Sequence, residues 1–215
     1  MDLNITLTQG HLLWNAGRTL AAYLEEHAST VIKDKTVLEL GAGAGVPSLI
    51  CAMKDARQVV VTDYPDEDLV ENLRHNIEQN QGLLLDQSNI HAEGYLWGAS
   101  TTTLTAHIPS DERTAGFDLL ILGDLLFNHS EHGKLLATIQ NTLKRSSEAQ
   151  ALVFFTPYRP WLLEKDLAFF DLARQADLLV EKVFEKVMDE VMFEEDPGDE
   201  KLRRTVFGYS IRWPQ

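Results

Sequence analysis

The sequence has one cysteine, Cys51, so no disulfide can form within the chain, and that suits a reducing compartment. It has no apolar run long enough to cross a bilayer, and Met1-Asp2-Leu3-Asn4 lacks the basic and apolar parts of a secretory signal. A cytoplasmic protein with no membrane association is expected. Basic residues are scarce: 19 Lys and Arg stand against 33 Asp and Glu, a formal charge of −14. Such a surface repels phosphate backbones, which argues against DNA or RNA as partner. The acid either favours a basic partner or only maintains solubility, and much of it is local, between Glu185 and Glu200. No internal repeat or linker interrupts the 215 residues, so a single domain over 1–215 is expected, with 1–9 a short segment of little pattern. A monomer is expected.

The stretch Val37-Leu38-Glu39-Leu40-Gly41-Ala42-Gly43-Ala44-Gly45 reads as a buried strand entering a glycine-rich turn, with a helix beginning near Pro47. Three alternating glycines let the backbone turn sharply and approach a ligand closely, because no Cβ intervenes. The next strand, Val59-Val60-Val61-Thr62, ends in Asp63; in nucleotide-binding α/β folds an acid at this place bonds the ribose hydroxyls. Glu-x-Gly-x-Gly-x-Gly, with Glu39 leading, is the pattern expected of an S-adenosyl-L-methionine site; the alternative is an αβ turn that merely needs small residues. A dinucleotide site would show Gly-x-Gly-x-x-Gly, and position 46 is Val.

In chain order, Gly10 to Trp14 open an amphipathic helix that turns Leu13, Ala16, Leu20 and Leu24 to the core. Trp14 either closes over a ligand or anchors the core. Strands are expected at about 36–40 and 58–62, and a helix follows Pro65 and its three acids. Tyr64 either lies against an adenine face or covers the core. Asn89 to Ala92 read as a third strand, and Trp97-Gly98 in the loop after it either borders the adenine or lies on the surface. Residues 99–116 read as loop.

The apolar run from Phe117 to Leu122 is a central parallel strand, ending at Gly123-Asp124. Ligands sit beyond the carboxyl ends of such strands, so Glu39, Asp63 and Asp124 should converge on one crevice, and Gly123 would admit a ligand to the backbone. Ser130 can cap the following helix. His129 and His132 lie three apart, yet no third ligand stands in frame, so no metal is expected. A strand at 152–156 leads into Pro157-Tyr158-Arg159-Pro160-Trp161. Tyr158, Arg159 and Trp161 either line the acceptor channel or form a rigid connection. Two C-terminal strands, with Val183, Val187, Val191, Val206 and Ile211, are joined by the turn signal Asp196-Pro197-Gly198-Asp199. The fold class expected is α/β, a Rossmann-like seven-stranded sheet, mostly parallel with a C-terminal antiparallel hairpin and helices on both faces.

The pieces Gly10 to Gly17, Val37 to Gly45, Thr62 to Asp66, Gly123 to His132 and Thr156 to Pro160 resemble class I methyltransferases of the lysine-methyltransferase-like group, which modify non-histone proteins and were earlier described as nicotinamide N-methyltransferase-like. The resemblance covers nearly the whole chain. It implies S-adenosyl-L-methionine contacts at Trp14, Gly41, Ala42, Gly43, Asp63, Trp97 and Gly123. It implies as acceptor the N-terminal glycine and the adjacent lysine of translation elongation factor 1-alpha. Asp124 is the candidate to orient the amine and accept its hydrogen bond, or else it serves the cofactor or the fold. Phe127 stands where related enzymes carry Tyr, and only nine residues precede Gly10, where the family has a longer segment. If that segment closes the cofactor site, weaker cofactor binding or a shortened gene product is expected. The alternatives are a small-molecule N-methyltransferase and a cofactor-binding interaction protein without catalysis.

Overall fold

The computed structural model describes residues 3–6, 14–84, 86, 89–110 and 115–215. The Gly10 to Leu13 piece, with the core role given to Leu13, lies outside them. The chain opens with α1 (Asn15–Glu26) and a helical turn, α2 (Ala28–Val31). Strand β1 (Thr36–Leu40) leads to α3 (Val46–Met53), β2 (Gln58–Asp63) to α4 (Glu67–Gln79), and β3 (Ile90–Gly94) to a short α5 (Thr102–Thr105). Strand β4 (Leu119–Gly123) is followed by α6 (His132–Thr142), and β5 (Gln150–Phe155) by α7 (Leu163–Gln175). The chain closes with β6 (Leu179–Val187), a helical turn α8 (Glu200–Arg203) and β7 (Thr205–Arg212).

All seven strands join one sheet in the order β3-β2-β1-β4-β5-β7-β6. The first five run parallel, and β7 pairs antiparallel with β5 and β6. The continuous apolar runs explain the centre: every residue of β1 is buried, as are Leu119 to Leu122. Hydrophobic clusters lie on both faces. One gathers Ala16, Leu20 and Leu24 of α1 with α3; the other gathers Leu135 and Ile139 of α6 with Phe169 and Phe170 of α7. Order reverses between β1 and β4, and there the strand ends leave a crevice.

Several expectations change in detail. Residues 99–116 are not all loop, because Thr102–Thr105 form a helical turn. Ser130 does not cap α6; its hydroxyl donates to Asn128 Oδ1, and the helix has no side-chain cap. The C-terminal strands are antiparallel, but no tight turn joins them. Residues 188–204 form a long connection that includes Val191 and α8, and Asp199 caps that helical turn by accepting from Leu202 N. Asp66 caps α4 as the acids suggested, accepting from Asp68 N.

Gly208 of β7 passes between Phe154 and Phe184. A Cβ there would lie 2.7 Å from the Phe154 ring and 2.8 Å from Phe184 Cβ. Gly208→Ala is therefore expected to destabilise the sheet by about 1–3 kcal/mol through overpacking. Chemical denaturation checks this, and an unchanged midpoint would count against it.

Candidate active site

A cavity of about 620 Å³ opens at the carboxyl ends of β1, β2 and β4. That volume suits a cofactor-sized ligand. Its walls include Trp14, Glu39, Gly41, Ala42, Gly43, Asp63, Tyr64, Trp97, Gly123 and Asp124. The expected cofactor residues thus come together.

The glycine turn is held from two sides. Ala42 N donates to Thr62 O at 2.9 Å, and Gly43 N donates to Asp63 Oδ2 at 2.7 Å. These amides are therefore committed within the protein, and the turn offers close backbone approach rather than those donors. Gly41 has φ +57°, and a Cβ on it would lie 2.6 Å from Leu125 Cδ2 and 3.3 Å from Trp97 Cζ2. Only glycine fits there without movement. Asp63 Oδ1 accepts from Tyr64 N at 2.7 Å, and the carboxylate keeps lone pairs for a ligand. Tyr64 is 60% exposed at the rim. Trp97 sits on a loop fixed by Gly98 N donating to Thr138 Oγ1.

Glu39 is buried, and its Oε2 accepts from both Ser48 N and Ser48 Oγ. It works first as a strut between β1 and the start of α3, which qualifies the cofactor role expected of it. Burial pushes its carboxyl up to about 8, although the Ser48 hydrogen bonds oppose that.

Asp124 follows β4 at φ +55°, a conformation that Asp and Asn tolerate better than most residues. Its Oδ2 accepts from Ala16 N at 3.0 Å, and its Oδ1 accepts from Thr156 N at 2.8 Å. One carboxylate thus ties the start of α1 to the loop after β5. Burial raises it to about 7 against the pull of those two amides.

A second cavity, of about 260 Å³, shares Trp14, Asp124 and Phe127 with the first. Its other walls are Leu126, Phe155, Thr156, Tyr158, Arg159, Asp166, Phe193 and Asp196. Trp14 is partly exposed, with its ring 5.1 Å from Tyr158 and 5.7 Å from Phe193, so it belongs to the cavity wall rather than the core. Tyr158 and Arg159 stand where the acceptor reading put them. Trp161 does not: it is 58% exposed, lines neither cavity, and packs near Gly198. Asp166, Phe193 and Asp196 were not foreseen. The first reads as an ordinary acid in a first helical turn, the others as part of a turn. His129 Nε2 lies 2.6 Å from Asp166 Oδ1, and His132 Nε2 lies 2.8 Å from Leu126 O. Among the described residues, no group of three or more His, Cys, Asp or Glu could hold a metal.

Residues 4–176 match the family described as lysine methyltransferase. The chain belongs to that family. A relative from Aspergillus fumigatus, named protein N-terminal and lysine N-methyltransferase efm7, is 54% identical over 95% of this chain and 78% of its own length. Among solved structures, the YcgJ protein of Bacillus subtilis superposes with a TM-score of 0.65 at 12% identity, over 92% of this methyltransferase and 100% of that chain. A SAM-dependent methyltransferase from Aquifex aeolicus gives 0.57 at 15% identity, over 89% and 88%. These two show the fold, a Rossmann-like methyltransferase sheet.

Glu39 and Asp124 make the methyltransferase sensitive to alkali. Both folded-state values, about 8 and about 7, lie above those of unfolded carboxyls near 4. The stability gained from holding them neutral is complete below about pH 4 and is lost as pH rises through 7 and 8. Glu39→Gln keeps an acceptor for Ser48 but does not titrate. Its Tm is expected to fall less than that of the wild type between about pH 5 and 9. Thermal melts across that range check this; parallel profiles would refute it.

Proposed function

We propose that the methyltransferase transfers methyl groups from S-adenosyl-L-methionine to the N-terminal glycine and adjacent lysine of translation elongation factor 1-alpha, and that it acts in the cytoplasm. One observation carries this reading: the two cavities meet at Asp124, with aromatic side chains around the junction. The name of the Aspergillus fumigatus relative supports both kinds of amine as acceptors.

The larger cavity suits the cofactor. Gly41 admits a ligand where any Cβ would meet Leu125, Asp63 has lone pairs for the ribose hydroxyls, and Tyr64 and Trp97 flank the place for the adenine. Trp14 and Gly123 line the same cavity. When bound, S-adenosyl-L-methionine supplies a methyl group activated on a sulfonium. The chain's own residues then have to position an uncharged amine in line with it. In that position the amine lone pair would take the methyl in exchange for the sulfonium's C–S bond, and the methylated amine's surplus proton would pass to water.

An α-amine, with a pKa of about 7.7–8, is partly neutral near pH 7, whereas lysine at about 10.4 costs roughly 4–5 kcal/mol to deprotonate there. Asp124 can accept an N–H through the lone pair that Ala16, Thr156 and the Tyr158 hydroxyl leave free. Trp14, Phe127 and Tyr158 stand around that contact.

Incubating unmethylated elongation factor 1-alpha with the protein and S-adenosyl-L-methionine should add methylene-sized mass steps to its N-terminal peptide. Absence of any gain, with the cofactor bound, would redirect the search to other amines, small molecules included. Asp63→Ala should weaken S-adenosylhomocysteine binding about tenfold or more in calorimetry, as expected for lost hydrogen bonds to a charged group. An unchanged affinity would remove Asp63 from the cofactor site.

A further inference from the structure

The proposed acceptor carries two amines, and the second cavity carries more than one place for an amine. Asp124 stands at its inner end, where the cavities join. Asp166 and Asp196 line the rest of it, from α7 and from the β6–β7 connection. The Asp166 residue is 6% exposed, and His129 takes only its Oδ1. Asp166 lies close enough to Asp124 for its charge to help raise the Asp124 carboxyl. Arg159 also lines the cavity, but its Nη2 donates to Phe127 O at 2.9 Å, so three carboxylates face one guanidinium that is partly committed. Thr156 Oγ1 is buried in the same wall beside the Tyr158 hydroxyl and lacks a hydrogen bond of good geometry. A buried hydroxyl of that kind points to a polar ligand. The rings of Trp14, Phe193 and Phe127 complete a box suited to a cation.

We propose that this cavity is a two-amine site: Asp124 receives the amine to be methylated, while Asp166 and Asp196 hold the substrate's other amine as an ammonium. The inference rests on the function proposed above. It explains how one cofactor cavity serves two amines, because the α-amine and the lysine side chain exchange places between rounds. His129 is a positioning residue that fixes the Asp166 carboxylate through Nε2.

The test crosses enzyme and substrate changes. Two synthetic peptides, one beginning Gly-Lys and one beginning Gly-norleucine, are assayed for α-amine methylation with the wild type, Asp166→Asn and Asp196→Asn. With the wild type, the Gly-Lys peptide should show a KM about tenfold lower, the scale of a hydrogen bond to a charged group. Each variant should raise KM for the Gly-Lys peptide and leave the Gly-norleucine peptide within about twofold, since non-additivity marks direct contact. Asp166→Asn keeps an acceptor for His129, and Asp196 is partly exposed, so both variants should fold. Equal changes for both peptides would overturn the two-amine site while leaving the acceptor intact. Failure of the wild type to methylate either peptide or elongation factor 1-alpha would overturn the proposed function, and this inference with it.

Discussion

One carboxylate holds the reaction crevice together. Asp124 takes a backbone conformation that few side chains accept, and from there it binds Ala16 N on one side and Thr156 N on the other. The first bond sets where α1 starts, and therefore where Trp14 stands. The second sets the path of the chain after β5, and therefore where Tyr158 and Arg159 stand. Burying that carboxyl is costly, and the two amides offset the cost only in part, as its raised pKa records. A group held so tightly cannot swing toward a substrate. Whatever meets it must come to a fixed acceptor, and a fixed acceptor is what an in-line transfer needs.

Glu39 repeats the arrangement one strand away. It is buried under the glycine turn and braces α3 through Ser48, while Asp63 pins the same turn from β2. Three acids at three neighbouring strand ends thus each accept backbone amides from the segment that follows or faces them. The crevice is rigid because its acids are engaged, and what remains for a ligand is their spare lone pairs.

This division decides what the sequence can reveal. The sheet was legible because its central strands are continuous apolar runs, and the larger cavity because glycines, an acid and a strand recur at fixed spacing. The convergence of Glu39, Asp63 and Asp124 followed from topology alone. The clamp by Asp124 was not legible, since it depends on amides 108 and 32 residues away. Trp161 looked like a partner of Tyr158 and Arg159, but the turn Pro160–Leu162 carries it outward, against the loop at Gly198. Asp196-Pro197-Gly198-Asp199 carries the composition of a tight turn. In the fold it is one part of a longer connection that brings Phe193 and Asp196 over the second cavity.

That connection also bears on the acidity of the chain. A run of acids from Asp189 to Glu200 can be read as solvated surface, and most of it is exposed. Asp196 is the exception that matters, because it turns into a cavity already holding two buried carboxylates. Arg203 Nη1 donates to Phe193 O and Arg204 Nη1 to Met188 O and Asp189 O, so the connection is tied back to the end of β6 rather than left loose. Charge at the surface adds little to stability, but charge beside a cavity acts at low dielectric and selects what enters. Of this acidic run, Asp196 is the residue that lines the second cavity, and there its charge bears on what enters rather than on the surface alone.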